Sequence, residues 1–198
     1  MTEQSTATST TTADSIRVAD TVRRIGQRRQ LFLDDWIVEE SEGLERRLGH
    51  PVKHPGNPVL KRETPWEAVQ CDLYGSAWLD PQMKKLRLYY QTRANPGGGD
   101  DKLAYAESAD GGCTWVKPEL DLFPFEDHER TNLVWLPKGR SLAGPSVFYD
   151  EDETDPARRY KLFAGDYEHD ADHAEAKGIH VAFSPDGIHW TASKLNPV

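Results

Sequence analysis

Leu73-Tyr-Gly-Ser-Ala-Trp-Leu-Asp80 and Ala143-Gly-Pro-Ser-Val-Phe-Tyr-Asp150 are two versions of one stretch, each a short apolar run that closes on an aromatic-containing segment and an aspartate. The residues downstream of each copy also correspond. A polar turn comes first, Pro81–Lys85 or Glu151–Arg159. Alternating runs come next, Leu86-Arg-Leu-Tyr-Tyr-Gln-Thr92 and Tyr160-Lys-Leu-Phe-Ala-Gly165, with the two-residue period of a strand. After loops rich in Gly or Asp come Lys102-Leu-Ala-Tyr-Ala-Glu107 and Gly178-Ile-His-Val-Ala-Phe183, then Ser108-Ala-Asp-Gly-Gly-Cys-Thr-Trp115 and Ser184-Pro-Asp-Gly-Ile-His-Trp190. Four elements in the same order define an internal repeat, and Trp115 and Trp190 are 75 residues apart. Asn57-Pro-Val59 precedes the first copy and Asn196-Pro-Val198 closes the second.

A repeat of this size built from four short strands predicts an all-β partial β-propeller, of which the chain holds about two four-stranded blades. The first blade is expected at about 57–120 and the second at about 131–195. A β-sandwich explains strands and turns but not an order-preserving repeat. Propellers close with about four to eight blades, so the chain is expected to be the N-terminal part of a longer or truncated propeller. Two blades alone leave apolar faces open to self-association.

Upstream, Met1 to about residue 27 is a Ser/Thr-rich tract expected to be a disordered tail. It has no apolar core, so no signal peptide is visible and a cytoplasmic location is the default reading. The run Arg29–Glu39 is rich in strand formers and is expected to contain a strand. His50–Pro58 holds three prolines and excludes a helix.

Composition narrows the function. The chain has 198 residues with 24 Lys and Arg against 33 Asp and Glu, a formal charge of −9, which argues against a nucleic-acid partner. No run of about 18 apolar residues is present, so no helical membrane span is expected. Two cysteines, Cys71 and Cys113, do not make a disulfide framework and read as reduced thiols.

Ser108-x-Asp110-x-Gly112-x-Thr114-Trp115 fits the aspartate-box pattern, and Ser184-x-Asp186-Gly187-x-x-Trp190 is a relative one residue shorter. An aspartate there accepts hydrogen bonds from turn amides, so Asp110 and Asp186 are assigned to structure rather than catalysis. His169 and His173 have the spacing of a helical zinc pair but lie in an acidic excursion between strands, as solvated loop residues. No metal and no cofactor is expected.

Gln30-Leu-Phe-Leu-Asp-Asp-Trp36, His54-Pro-Gly-Asn-Pro-Val-Leu60, Pro65-Trp-Glu67, Asp155-Pro-Ala-Arg-Arg-Tyr-Lys161 and Gly178–Trp190 together resemble bacterial proteins of the five-bladed β-propeller glycosidase superfamily. That superfamily includes glycoside hydrolase families 32 and 43, invertase-like and arabinanase-like, and the resemblance covers about residues 28–198. It implies a glycoside hydrolase-like protein acting on an oligo- or polysaccharide with two carboxyl groups. One carboxylate of those families lies at the start of the first inner strand, where Asp72 stands, with Glu67 as the alternative. Trp66 is the expected sugar platform, and His54, Asn132 and Arg140 are further substrate-binding candidates. The families place an acid in the second blade, yet Thr131–Ser146 contains none. Their general acid comes from a third blade, expected beyond Val198. The alternative readings are a non-catalytic propeller that binds glycans or proteins, and an inactive fragment.

Overall fold

A computed structural model describes residues 25–27, 30–136, 141–167 and 178–198. The chain divides into two compact units, Met1–Pro51 and Val52–Val198. In the first, the described residues hold no strand. The strand expected over 29–39 is corrected to a series of turns between 30 and 39. There the Asp34 carboxylate accepts the Trp36 amide at 3.0 Å, and the Val38 amide bonds the Asp35 carbonyl at 3.0 Å. These local bonds take up the groups that a sheet ladder would use.

The second unit is all β. Strands β1 (Gln70–Leu79), β2 (Leu86–Arg93), β3 (Lys102–Ser108) and β4 (Leu133–Trp135) form one antiparallel sheet in that order. Strands β5 (Ser141–Tyr149), β6 (Tyr160–Tyr167), β7 (Gly178–Ser184) and β8 (Thr191–Ala192) form a second. Both are meanders, the form expected of propeller blades. The repeat governs the turns as well: Val116 bridges Glu107 in the first copy, as Thr191 pairs with Phe183 in the second.

The copies differ in the outermost strand. The first sheet was expected to end near residue 120. After the bridge at Val116 the chain instead makes an excursion and returns as β4, pairing Trp135 with Leu103 and Leu133 with Ala104. The first sheet therefore extends to Trp135 and claims residues expected in the second blade. Leu133 and Val134 are apolar and almost wholly buried, one in each layer of the core.

Strand period sorts those layers. Tyr89 and Tyr90 are neighbours in β2 and point to opposite faces. Tyr89, Leu103, Tyr105 and Val134 join Leu142, Val147, Leu162, Ala164 and Ala182 in the core between the sheets. Trp78 stacks on Tyr89 at 5.2 Å, and Trp190 meets the same ring edge-on at 6.3 Å. Tyr90, Leu88, Ala104, Ala106 and Leu133 pack with Trp66 on the outer face. The far face of the second sheet is more open, with Phe148 41 % and Ile179 50 % exposed.

Polar bonds lock the sheets at the end where β1 finishes. Buried Arg87 places Nε 2.9 Å from the Asp80 carboxylate and donates from Nη1 to the Asp186 carbonyl. Tyr89 donates to the Gly187 carbonyl at 2.9 Å, and Tyr160 donates to Asp80 at 2.7 Å. Gly187 (φ 76°) is required here, because a Cβ would lie 2.3 Å from the Tyr89 hydroxyl and 2.4 Å from Arg87 Nη1. Arg87→Met should strand the fully buried Asp80 and cost roughly 3–5 kcal/mol, read as a lower midpoint in urea. An unchanged midpoint would mean that the lock contributes nothing.

Both repeat turns consume their aspartates. Asp110 accepts the Cys113 and Thr114 amides at 3.0 and 2.9 Å and the Thr114 hydroxyl at 2.6 Å. Asp186 accepts the Ile188 and His189 amides, both at 2.8 Å. Burial alone would raise the Asp186 pKa. The bonds from the His189 amide and ring and from the Ile188 amide outweigh it and bring the value down to about 2, from 3.8. A depressed carboxylate stabilises the fold above its unfolded value, and that stability is lost as pH falls through the folded value. Wild type should lose thermal stability between about pH 4 and 2, and Asp186→Asn should lose less over that window in melts across pH.

Candidate functional site

Asp72 is the third residue of β1, opposite Gln91, and the register between β1 and β2 breaks between Asp72 and Ser76. Asp72, Leu73 and Tyr74 are exposed in succession, where a regular strand would alternate. Bulges re-aim side chains in this way. Gly75 permits the bulge, since a Cβ there would fall 1.9 Å from the Tyr89 carbonyl oxygen. β5 breaks register at the matching place, between Ala143 and Ser146, through Gly144 (φ 52°) and Pro145.

Asp72 borders a groove of about 490 Å³ together with Arg62, Lys61 and Cys71. Arg62 is fastened there by donating to the Ala68 and Val69 carbonyls at 3.0 and 2.9 Å. Burial pushes the Cys71 thiol up to about 11, and the charges of Glu67 and Asp72 add to this against Lys117 and Arg62. Cys71 is therefore a protonated, poorly nucleophilic thiol. Both cysteines are free.

A second polar lock joins the sheets at this end. Asp101, 4 % exposed, accepts Arg93 Nε at 2.9 Å and Nη2 at 3.0 Å, Gln91 Nε2 at 2.9 Å, and the Ser141 hydroxyl. The Asp101 carbonyl accepts the Leu142 amide at 3.2 Å, and Gln91 Oε1 accepts the Gly144 amide at 3.2 Å. Burial would raise the Asp101 pKa, but the bonds from Ser141, Arg93 and Gln91 hold it below the ordinary value. Asp101 is thus ionised and fully engaged in joining the sheets.

Three expected site residues, Trp66, Glu67 and Asn132, do come together, but inside the fold. Trp66 Nε1 donates to Asn132 Oδ1 at 2.7 Å, and Asn132 Nδ2 donates to the Tyr90 hydroxyl at 2.6 Å and the Tyr105 carbonyl at 2.7 Å. Tyr90 donates to Glu67 Oε1 at 2.6 Å. Glu67 Oε2 accepts Lys117 Nζ at 2.8 Å and the Glu63 amide at 3.0 Å. Burial would raise the Glu67 pKa, yet the Lys117 and Tyr90 bonds and the Glu63 amide bring it down.

The polar groups of these residues are used inside the fold. Glu67 is fully buried, and both of its oxygens accept hydrogen bonds within the fold. Trp66 is 5 % exposed and lies edge-on to Phe125 and His128, so it offers no face for a sugar ring. Asn132 is 1 % exposed and spends its amide on the network. His54 is exposed and accepts the Gly56 amide on Nδ1 at 3.1 Å, closing its own turn. Arg140, His169 and His173 lie outside the described residues. Among the described residues, no group of three or more His, Cys, Asp or Glu could hold a metal. Lys117 was missed in the sequence, where a lysine two residues after a turn tryptophan carries no signal of its partner.

No protein-family model matches this chain, and no curated protein matches it. Solved structures give partial likenesses. A sucrose-6-phosphate hydrolase from Lactobacillus gasseri aligns at 17 % identity over 68 % of this chain and 23 % of its own, with TM-score 0.45. A structure carrying a provisional glycoside hydrolase assignment, from Parabacteroides distasonis, aligns at 22 % identity over 71 % and 40 %, with TM-score 0.46. A protein of unknown function from Dyadobacter fermentans aligns at 12 % identity over 62 % and 28 %, with TM-score 0.41. The chain thus spans less than half of each of these structures. At these TM-scores the likenesses carry no argument about the site.

Glu67→Gln should behave as a framework substitution. It strands Lys117, whose side chain is 11 % exposed, and should cost roughly 3–5 kcal/mol in urea denaturation. A variant as stable as wild type would release Glu67 from this role.

Proposed function

We propose that this chain is part of a β-propeller glycoside hydrolase, with Asp72 as its first carboxylate on the inner strand of the first blade. The observation that supports this most is the contrast between two acids on one approach. Glu67 is buried and neutralised by Lys117, whereas Asp72 is exposed on a bulge beside a groove. An exposed, re-aimed carboxylate is free to meet a substrate.

In this reading each four-stranded sheet is one blade of five, β1 and β5 are the inner strands, and the bulges lie at the mouth of a central channel. The substrate is an oligo- or polysaccharide. Asp72 acts as nucleophile or base, and a protonated carboxyl from a further blade protonates the leaving oxygen. The bulge displays Leu73 and Tyr74 beside Asp72, giving the mouth apolar surface as well as charge.

A second reading is a propeller that binds glycans without cleaving them. It draws support from Thr131–Ser146, which holds no acid, and from Ser141 and Asn132, whose polar groups are engaged within the fold. Both readings are tested by applying wild type and Asp72→Asn to a glycan array and assaying the bound glycans for released reducing ends. Hydrolysis predicts release that falls by roughly 10²–10⁴-fold in Asp72→Asn with binding retained. Binding without release in wild type selects the second reading. Release unaffected by the substitution overturns the role of Asp72, and no glycan binding overturns both readings.

A further inference from the structure

The groove beside Asp72 is lined by two cations, Lys61 and Arg62, and by the apolar Pro58, Leu60 and Val69. Lys61, Arg62 and Asp72 are all exposed. Among the described residues, their charged groups make no hydrogen bond or ion pair except the two bonds that anchor Arg62. The chain as a whole has a formal charge of −9. Two cations against one carboxylate therefore make this groove locally positive on an acidic background.

The anchoring of Arg62 decides what the groove can hold. Nη1 donates to two successive carbonyls on the approach to β1, Ala68 at 3.0 Å and Val69 at 2.9 Å. Its two N–H groups are thereby used up. A guanidinium is planar, with its nitrogens spread evenly about the central carbon. The edge formed by Nε and Nη2 therefore points directly away from Nη1 and from the backbone that holds it. That edge is unbonded and belongs to an exposed side chain bordering the groove. Elsewhere in this chain the same two nitrogens grip carboxylates. Arg93 holds Asp101 through Nε at 2.9 Å and Nη2 at 3.0 Å, and Arg47 holds Glu45 at 2.9 and 2.6 Å. Two parallel donors match the two oxygens of a carboxylate. The single surplus positive charge matches its one negative charge. A phosphate monoester would instead bring about −1.5 to −2 beside Asp72.

We propose that the groove takes a sugar unit that carries a carboxylate, a uronic acid residue, held by Arg62 Nε and Nη2. This rests on the reading of the Asp72 groove as a carbohydrate site, and it adds the class of sugar. Arg62 is the specificity-determining group. Its tether to Ala68 and Val69 sets the fork before the ligand arrives, so less side-chain freedom is lost on pairing. Lys61 adds attraction without a fixed geometry.

The test titrates the full chain by calorimetry with oligogalacturonate, oligomannuronate and a glucuronate-substituted xylo-oligosaccharide, each beside its neutral methyl ester, and with a sulfated galactan oligosaccharide. At least one free acid should bind roughly tenfold more tightly than its ester, the scale of one charge-assisted pair, and the difference should shrink as salt is raised. That comparison needs no variant. Arg62→Gln should bring acid and ester to equal affinity, and Arg62→Lys, which keeps the charge without the fork, should restore little of the difference. The proposal alone is overturned if neutral esters bind as tightly as the acids, if the sulfated sugar is preferred, or if Arg62→Gln keeps the preference. It is also overturned alone if neutral glycans bind and no acid does. If no glycan of either kind binds, the carbohydrate reading and the proposal fall together.

Discussion

The guanidinium of Arg87 holds the two sheets in one arrangement. It lies 5.0 Å from the Tyr160 ring and 5.7 Å from the Tyr105 ring, one in each sheet, and pairs with an aspartate that Tyr160 also bonds. Its donation to the Asp186 carbonyl then fixes the second repeat turn against the first sheet. A core of Leu, Val and Tyr side chains would tolerate sliding of one sheet over the other, because apolar contact is non-directional. A planar charged group with a fixed fork of donors does not. The aromatic cluster of Trp78, Tyr89 and Trp190 is thereby given a single geometry.

Asp101 does the same work at the other end of the strands, and the two locks differ in what they leave exposed. Around Arg87 the groups are closed in by turns. Around Asp101 the lock sits at the ends of β2, β3 and β5, next to the point where Asp72 leaves the regular ladder. Gln91 belongs to both features, since it pairs opposite Asp72 and bonds Asp101 and Gly144. The exposed carboxylate is therefore set next to a rigid, hydrogen-bonded support.

Much of this fold can be read in the residues. The alternating runs Leu86–Thr92 and Tyr160–Gly165, bounded by turn residues, place β2 and β6 within two residues of their observed ends. The repeat also identifies both turns and the structural role of Asp110 and Asp186. The site was harder to read, for a physical reason. Trp66, Glu67 and Asn132 were singled out for their chemistry, and that chemistry is spent inward. A buried tryptophan needs an acceptor and a buried glutamate needs a cation, and these came from Asn132 and Lys117, 66 and 50 residues away in the chain. Local patterns do not report such pairings. The excursion that delivers β4 was hidden likewise, since one bridge at Val116 already completes the repeat.

The paired bulges in β1 and β5 also bear on solubility. A flat strand with an open edge presents a ladder of unpaired amides and carbonyls, which another chain can extend into an aggregate. Here one edge strand of each sheet, β1 or β5, is broken at the same level. In β5 it is broken by a glycine at positive φ followed by a proline that has no amide to offer, and in β1 by Leu73–Gly75 standing out of register. An incoming strand would find no continuous register to copy along β1 or β5. The distortion that exposes Asp72 is thus also a guard against fibril growth.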